Sequence, residues 1–435
     1  MRVVLSAILL LVACVCARKS AVLVVSFDGF RYNYFEKKIT PFMDKLKTEG
    51  SHAEYMKNVF PTKTYPNHHS MATGFYPGVH GVLQAKVYDT VNKKILDPYE
   101  LFHYNEEIIP IWSLNEQSPG SWRHSGVMMW PSGDMEFQGR LPTFHQSYNY
   151  SVPWEERVDT VMNWFTHPQT AANLVFMYFE DPDRHSHVFG PESPQVTEQI
   201  RRVDNITRYI YDSLKENNLS DTVNVLLVSD HGMETVTKDK IIDLSSLLTE
   251  YNVTQVGTSP VLHLFPSNGT EDKVYCILKN LSNHEKFTIY RKAELPERWH
   301  FKENKRAPPL LLLADEGYAF HDMYASETYY RNKWKIPSSV NMTFGVHGYD
   351  PMEKNMQAFF MAWGPDIKKN YDIPPFGSVD IHPLVSKLVD ISLANVNGSL
   401  NNVISMTTFD GSQLILVNVW LLILQIIPLY QYFSI

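Results

Sequence analysis

Three apolar runs that each end in aspartate are the feature that most constrains the fold. "AVLVVSFDG" reaches Asp28, "NLVFMYFEDPD" reaches Asp183, and "VNVLLVSDHG" reaches Asp230 and His231. Runs this rich in valine and leucine, broken by glycine or proline, are typical of buried parallel strands. Ligands of open α/β sheets gather at the carboxyl ends of the strands. We therefore expect these acidic endings to converge on one site.

Helical patterns lie between the apolar runs. "TPFMDKLKTEG" has Gly50 as a stop, and "PQVTEQIRRVDNITRYIYDSLKENN" has apolar residues at helical spacing. This alternation predicts a doubly wound, mainly parallel α/β sheet with helices on both faces. Residues 235 to 345 have a less regular pattern and are predicted to form an irregular insertion before His347.

Size and charge exclude some classes of function. The chain has 435 residues, of which 44% are hydrophobic and 20% charged, enough for one large α/β domain or two smaller ones around a core. The formal net charge is -8, and no lysine- or arginine-rich run stands out. These features argue against a nucleic-acid polymer as a partner.

The N-terminus and the sequons indicate the secretory route. Residues 1 to 17, "MRVVLSAILLLVACVCA", have the pattern of a cleaved signal peptide, and their removal leaves Cys276 as the last cysteine. No intrachain disulfide is then expected. Eight N-glycosylation sequons lie at Asn149, Asn205, Asn218, Asn252, Asn268, Asn280, Asn341 and Asn397.

The C-terminus, residues 401 to 435, is predicted to be a hydrophobic tail that anchors the protein at the extracellular face of the cell surface. Residues 414 to 430, "LILVNVWLLILQIIPLY", are near the lower length limit for a bilayer span, and no basic cluster follows them. This favours a GPI-attachment signal over a retained membrane helix, with attachment near residues 397 to 399 or at Ser405. A buried strand or helix is the third interpretation.

Metal ligands are available at the predicted carboxyl edge and in two further motifs. Carboxylate and imidazole donors without thiolate suit Zn²⁺, and the donors present are too many for one tetrahedral ion. Two zinc ions roughly 4 Å apart would use them all, in the arrangement that holds the attacking and leaving oxygens in phosphoryl transfer. The candidate donors are Asp28, Thr64, Asp183, His187, Asp230, His231 and His347.

The motifs around these donors resemble one enzyme family. "VSFDGFR", "FPTKTYPNHHSMATGFYP", "EDPDRHSHVFGP", "SDHGM" and "HGYD" look like the nucleotide pyrophosphatase/phosphodiesterase family of the alkaline phosphatase superfamily. The likeness covers most of residues 20 to 390, in the same order. It is closest to the short, membrane-tethered members, with a catalytic domain over residues 18 to 400.

The resemblance implies a reaction and a division of the donors into two groups. The enzyme would cleave phosphodiester or pyrophosphate bonds of extracellular nucleotides or dinucleotides and release nucleoside 5'-monophosphates. One zinc would be held by Asp183, His187 and His347. The second would be held by Asp28, Asp230 and His231 and contacted by Thr64.

The resemblance also assigns roles around the reacting phosphate. Thr64 would be the nucleophile that forms a phosphothreonine intermediate, because a bound zinc can lower the pKa of its weakly nucleophilic hydroxyl. Tyr65 and Tyr148 match positions that grip a nucleobase in the family, and Lys63 would add charge near the phosphate. His68, His69 and His185 are expected to be structural or solvent-exposed.

Two residues depart from the family pattern. Ser186 stands where the family usually has glycine before the metal histidine. Ala85 stands where the family usually has an asparagine that stabilises the transition-state oxygen. The loss of this asparagine is expected to affect the reaction rate but not metal binding.

Two alternative functions follow from these observations. A choline-lipid phosphodiesterase is the nearest alternative enzyme. The Tyr65/Tyr148 pair favours a nucleotide substrate over a choline lipid. A surface glycoprotein with a weakened site is the alternative from another class, and Ala85 is the feature in its favour. "PTKTYPNH" lacks the cysteine or serine sequence of a sulfatase nucleophile.

Overall fold

The computed structural model describes residues 20–393 and 395–409, and its centre is an eight-stranded sheet. The strand Ala358–Trp363 is antiparallel to both of its neighbours, and the other pairs in the sheet are parallel. The prediction of a mainly parallel α/β sheet is therefore confirmed. The strands lie in the order Tyr371–Ile373, Ser51–Met56, Ala358–Trp363, Val223–Val228, Ala21–Phe27, Leu174–Phe179, Ser125–Met128 and Phe144–Gln146.

The three apolar runs that end in aspartate are neighbours in this sheet. Ala21–Phe27 lies between Val223–Val228 and Leu174–Phe179, and both pairings are parallel. The two flanking strands are buried along their whole length, as expected for strands covered on both faces. Their carboxyl ends consequently meet at one edge of the sheet.

Helices pack around the sheet in two groups. Trp154–Phe165 and Pro41–Glu49 both contact the long helix Pro194–Glu216, while Thr64–Thr73 contacts Ile381–Leu388. The remaining α-helices of the described residues are Pro77–His80, Pro98–Phe102, Ile111–Gln117, Asp183–Phe189, Ser245–Glu250, Glu271–Leu281 and Asp322–Trp334. The 3-10 helices are Tyr32–Lys37, Lys238–Lys240, Lys292–Glu294, Glu297–Trp299, Lys354–Met356, Ser378–Asp380, Leu400–Asn402 and Ile404–Met406.

The segment expected to be irregular contains a second sheet. Four antiparallel strands lie in the order Thr254–Thr258, Val261–Phe265, Leu310–Ala314 and Phe287–Arg291. One face of this sheet buries Leu262 and Leu264 in a separate apolar core. The predicted insertion is present, but its internal sheet was not anticipated because each strand is only five residues long, too short for a strong periodic signal. We call residues 238–342 the insertion lobe.

Short two-stranded ribbons complete the fold. Glu234–Thr237 pairs antiparallel with Thr343–Val346 at the two ends of the insertion lobe, so the chain leaves and re-enters the main body at one place. Ile241–Ile242 pairs with Ala319–Phe320, and Tyr88–Asp89 pairs with Lys94–Ile95.

The first residues of the predicted tail, up to residue 409, pack onto the domain that contains the central sheet. Val403 and Met406 are fully buried, and the backbone of Lys368 donates to the Met406 carbonyl. GPI attachment near residues 397 to 399 would remove both core residues, and attachment at Ser405 would remove Met406. The attachment site stays a prediction. The boundary predicted at residue 400 also falls inside packed structure.

Several predictions about location concern residues outside this part of the chain. The leader at 1 to 17 and the apolar stretch at 414 to 430 lie outside the described residues. Over residues 20–393 and 395–409, no helix combines the length and apolarity of a membrane span. All eight sequon asparagines are exposed, which is compatible with the glycosylation predicted for them. Cys276 is exposed and unpaired.

Candidate active site

Three loops at the carboxyl edge of the central strands bring the acidic residues together. Asp28 follows Ala21–Phe27 directly, and Asp183 opens the helix Asp183–Phe189. Gly29, at φ +67, permits the two loops to touch: a Cβ there would lie 2.8 Å from the Cβ of Asp183. The Gly29 amide also donates to Oδ1 of Asp230 at 3.1 Å. The turn after the first strand therefore fixes all three carboxylates.

The first donor group consists of Asp183, His187 and His347. The helix places His187 one turn after Asp183, and their Nε2 and Oδ2 atoms are 3.3 Å apart. The Nε2 atoms of His187 and His347 are 3.2 Å apart, and Nε2 of His347 lies 3.5 Å from Oδ1 of Asp183. Two nitrogens bound to one tetrahedral zinc at about 2.0–2.1 Å would be separated by about 3.3 Å, close to the observed spacing.

The second donor group centres on His231. Its Nε2 lies 3.3 Å from Oδ1 of Asp28 and 3.0 Å from Oδ2 of Asp230. The hydroxyl of Thr64 is 3.3 Å from the same nitrogen. Ligand atoms of Asp28, Asp183 and His231 all lie within 4.8 Å of one another, so Asp183 stands between the two groups. The structure thus brings all seven predicted donors together.

Backbone carbonyls orient the three imidazoles. Nδ1 of His187 lies 2.8 Å from the Gly345 carbonyl, and Nδ1 of His231 lies 2.8 Å from the Gly232 carbonyl. Nδ1 of His347 lies 2.9 Å from the Thr62 carbonyl. Because a carbonyl only accepts, each Nδ1 carries the proton and each Nε2 presents a lone pair to the cluster. This tautomer is the one that metal-binding histidines adopt.

The carboxylates lack hydrogen-bond partners on the side that faces the cluster. Oδ1 of Asp28, Oδ1 of Asp183 and Oδ2 of Asp230 are buried and accept no hydrogen bond. Burial, reinforced by the charges of Asp230 and Asp183, raises the pKa of Asp28 well above its usual value. Burial also raises the pKa of Asp230, but His231 and His68 outweigh it, so that pKa lies below its usual value. Such a concentration of buried anionic oxygen needs a cation.

The residues present therefore fit a metal centre. Three unpartnered carboxylate oxygens and three imidazole lone pairs converge, and the exposed Cys276 supplies no thiolate to them. Nitrogen and oxygen ligands of this kind suit Zn²⁺. The assignment of each residue to a particular ion stays a prediction.

Thr64 is the first residue of the helix Thr64–Thr73, and Lys63 precedes it. No side chain caps this helix, so N–H groups of its first turn remain for a ligand. The Lys63 ammonium donates to the Ser259 carbonyl at 2.6 Å and to the Thr258 hydroxyl at 3.2 Å. Burial lowers the pKa of Lys63 to about 8. Lys63 thus connects the start of the helix to the insertion lobe.

A cavity of about 610 Å³ lies above the donors, within the usual range for small-molecule sites. Lys63, Thr64, Tyr65 and Tyr148 all line it, so the predicted substrate contacts face one space. Tyr65 is 36% exposed and packs on Phe102, with ring centres 5.5 Å apart. Their contact with substrate stays a prediction.

Sequence reasoning missed two supporting residues. His68, expected to be structural or exposed, is fully buried: its Nδ1 is 2.8 Å from the Thr64 carbonyl and 3.4 Å from Oδ2 of Asp230. Tyr178 donates its hydroxyl to Oδ2 of Asp28. The available signal for Tyr178 was a hydroxyl-bearing residue within an otherwise apolar strand, "LVFMYF".

Two other histidines and Ser186 remain outside the donor cluster. His185 pairs with Asp181 at 2.6 Å, and His69 is buried against Phe102. The Ser186 hydroxyl donates to the Pro182 carbonyl one turn earlier at 2.7 Å. The serine in place of the family glycine is therefore accommodated within its own helix.

Ala85 is exposed and lines the cavity. The neighbouring Gln84 is buried, and its amide nitrogen donates to the Val261 carbonyl at 3.2 Å. Gln84 therefore holds the loop against the insertion lobe.

Comparison with known proteins identifies the family. The profile described as "Type I phosphodiesterase / nucleotide pyrophosphatase" matches residues 22–350. The chain belongs to this family. The resemblance seen in the motifs is thereby confirmed, as is the classification as a hydrolase of this class.

Individual relatives cover most of the chain. Human ectonucleotide pyrophosphatase/phosphodiesterase family member 5 is 36% identical over 391 residues, which span 88% of this chain and 77% of the relative. The bis(5'-adenosyl)-triphosphatase of Xenopus laevis is 35% identical over 389 residues, spanning 87% and 80%.

A solved structure is similar over the same region. It is the murine family member 5, described as an inactive threonine-to-alanine variant in complex with AMP. The TM-score is 0.80 at 34% sequence identity, and the match covers 89% of this chain and all of the murine chain.

The donor geometry predicts different effects for two histidines on one helix. His187→Ala should lower the bound metal by about one ion per chain, because tetrahedral zinc sites depend on each protein ligand. His185→Ala is the matched control and should retain the full metal content, since His185 pairs with Asp181 outside the cluster. Elemental analysis of the purified proteins measures both. Equal metal content in the two variants would refute the first donor group.

Proposed function

We propose that this protein is a two-zinc ecto-phosphodiesterase/pyrophosphatase that cleaves nucleotides or dinucleotides and releases nucleoside 5'-monophosphates. The observation that carries the proposal is the position of Thr64. Its hydroxyl stands at an uncapped helix N-terminus, 3.3 Å from Nε2 of His231 and at the floor of the cavity. A nucleophile, a phosphate-binding helix start and a metal-binding cluster thus meet at one point.

Zinc would supply two functions at this point: it lowers the pKa of a coordinated hydroxyl, and it neutralises charge on the phosphoryl oxygens. Asp183, His187 and His347 would hold one ion, and Asp28, Asp230 and His231 the other. His68 supports the second group by hydrogen bonding to the Thr64 carbonyl, and Tyr178 by donating to Asp28.

The reaction proceeds in two displacements at phosphorus. Thr64 Oγ forms a bond to phosphorus as its proton is released, and the bond to the leaving oxygen breaks with its electron pair. Water then attacks the phosphothreonine, the Thr64 Oγ–P bond breaks, and Thr64 regains a proton. The N–H groups at the helix start and the helix dipole favour the phosphate throughout both steps.

The preference for nucleotides is supported by the cavity and by the relatives. Tyr65 and Tyr148 line the cavity with Phe102 behind Tyr65, and an aromatic face contributes about 1–3 kcal/mol when it stacks on a base. One relative is named a bis(5'-adenosyl)-triphosphatase, and the murine structure contains AMP. The murine variant is described as inactive after a threonine-to-alanine change, which supports a threonine nucleophile here.

Action outside the cell is supported by the sequence. The leader, the eight exposed sequon asparagines and the apolar tail agree with a cell-surface protein, and the human relative is named an ectonucleotide pyrophosphatase/phosphodiesterase. GPI attachment at the C-terminus is part of this proposal.

The proposed role of Thr64 predicts that removing its hydroxyl abolishes turnover but leaves most of the metal bound. Thr64→Ala should reduce hydrolysis of bis(5'-adenosyl) triphosphate to below about 1% of the unsubstituted enzyme, because the nucleophile is lost. The six aspartate and histidine donors remain, so elemental analysis should find most of the metal retained. Thr64→Ser keeps a hydroxyl and should retain partial activity. Turnover of Thr64→Ala near the unsubstituted rate would overturn the assignment.

The alanine at position 85 predicts that one substitution can raise kcat. Loss of one transition-state donor typically costs about 100- to 1000-fold in rate. Ala85→Asn should therefore raise kcat by about tenfold or more with little change in KM, because the new amide would bind mainly in the transition state. Lys86→Asn places the same amide one residue further along and should give no gain. An unchanged kcat for Ala85→Asn would mean that the remaining site needs no amide from this loop.

A further inference from the structure

A second cleft opens beside the first donor group. It has a volume of about 420 Å³ and shares Tyr148, Asp183, His187 and Tyr330 with the cavity above Thr64. We call it the lateral cleft. Because the two spaces share these walls, they are adjacent. Its further walls are formed by Tyr150, Arg184, Tyr329, Lys333 and Trp334.

Aromatic rings from two separate segments line the lateral cleft. Tyr150 follows the edge strand Phe144–Gln146, while Tyr329 and Trp334 belong to the helix Asp322–Trp334. Tyr150 is 53% exposed and Tyr329 is 55% exposed. Trp334 is anchored against Phe189, with ring centres 5.2 Å apart. Solvent-facing rings gathered around one concave space are a surface suited to stacking with a planar ligand.

Two cations stand among these rings. The Arg184 guanidinium lies 4.3 Å from the ring centre of Tyr150, and the Lys333 ammonium donates to the Tyr329 hydroxyl at 2.8 Å. Within residues 20–393 and 395–409, no carboxylate forms an ion pair with either cation. Glu180 also lines the cleft, but Arg157 holds it in a buried pair at 2.7 Å. The cleft therefore offers positive charge to an anionic ligand.

The leaving group is expected on the side of the cluster where the lateral cleft begins. Thr64 lies on the His231 side of the cluster, 3.3 Å from Nε2. In an in-line displacement the leaving oxygen stands opposite the nucleophile. With the donors divided as predicted, that would be the side of Asp183 and His187. The lateral cleft begins at these two residues, and Arg184 follows Asp183 in the chain.

From these observations we propose that the lateral cleft binds the leaving nucleotide of a dinucleoside polyphosphate substrate. Arg184 and Lys333 contact the polyphosphate of the leaving group, and the exposed rings stack on its base. This subsite rests on the proposed function. It would make dinucleotides better substrates than esters whose leaving group carries neither phosphate nor base.

The first test compares two substrates that differ in the leaving group. Bis(5'-adenosyl) triphosphate releases ADP, whereas the p-nitrophenyl ester of thymidine 5'-monophosphate releases p-nitrophenol, which carries neither phosphate nor nucleobase. Arg184→Gln and Lys333→Gln should each raise KM for the first substrate about tenfold or more, as expected for a lost contact to a charged group. Both should leave turnover of the ester within about twofold. Arg201→Gln makes the same charge change on the exposed helix Pro194–Glu216 and should change neither.

The second test measures binding without turnover. In full-length protein carrying Thr64→Ala, ADP is titrated calorimetrically while saturating AMP occupies the cavity. ADP should still bind, and Lys333→Gln should weaken that binding about tenfold. Tyr329→Ala should weaken binding of ADP more than binding of inorganic pyrophosphate, because pyrophosphate has no base to stack; pyrophosphate would lose only the support that the Tyr329 hydroxyl gives to Lys333.

The outcomes separate the subsite from the proposed activity. If the unsubstituted protein hydrolyses neither substrate while Thr64→Ala binds ADP beside AMP, the proposed activity is rejected and the subsite is kept. Normal hydrolysis with no ADP binding beside AMP would reject the subsite alone. Equal loss of activity on both substrates in Lys333→Gln would also overturn the assignment, because it would show general damage to the donor cluster.

Discussion

The buried contact between three carboxylates and three imidazoles at the edge of the central sheet is the constraint on which the site depends. Oδ1 of Asp28, Oδ1 of Asp183 and Oδ2 of Asp230 face this contact without hydrogen bonds. Each imidazole turns its Nε2 toward them because its Nδ1 is bonded to a backbone carbonyl. Unpaired anions in such a place destabilise a protein unless a cation balances them. A bound metal would balance these charges.

Strand order and two contacts between residues distant in the sequence place these carboxylates and imidazoles at the site. The three acid-bearing strands are adjacent, so their carboxyl ends meet. The ribbon of Glu234–Thr237 with Thr343–Val346 returns His347 to His231, and their rings stack with centres 3.6 Å apart. Lys63 then binds the insertion lobe through Ser259. The lobe thus forms a wall of the cavity whose floor carries the nucleophile.

The sequence indicates the candidate metal donors more clearly than it indicates the residues and elements that surround them. Long apolar runs ending in Asp28, Asp183 and Asp230 have a strong local pattern, and the motifs around Thr64 and His347 are specific. The insertion lobe was predicted, but its four-stranded sheet was not, because its five-residue strands pair across long sequence distances and leave little local periodicity. His68 could not be distinguished from His69 by sequence, since only packing places one beside Asp230 and the other against Phe102. The cations of the lateral cleft likewise come from separate elements.

The central claim is that the six aspartate and histidine donors hold two zinc ions next to Thr64. Anomalous diffraction from crystals of zinc-replete protein, recorded on both sides of the zinc absorption edge, tests it most directly. We expect two zinc peaks about 4 Å apart. One should lie about 2.0–2.2 Å from ligand atoms of Asp183, His187 and His347, and the other at the same distance from ligand atoms of Asp28, Asp230 and His231. A single peak, or peaks away from these atoms, would contradict the account.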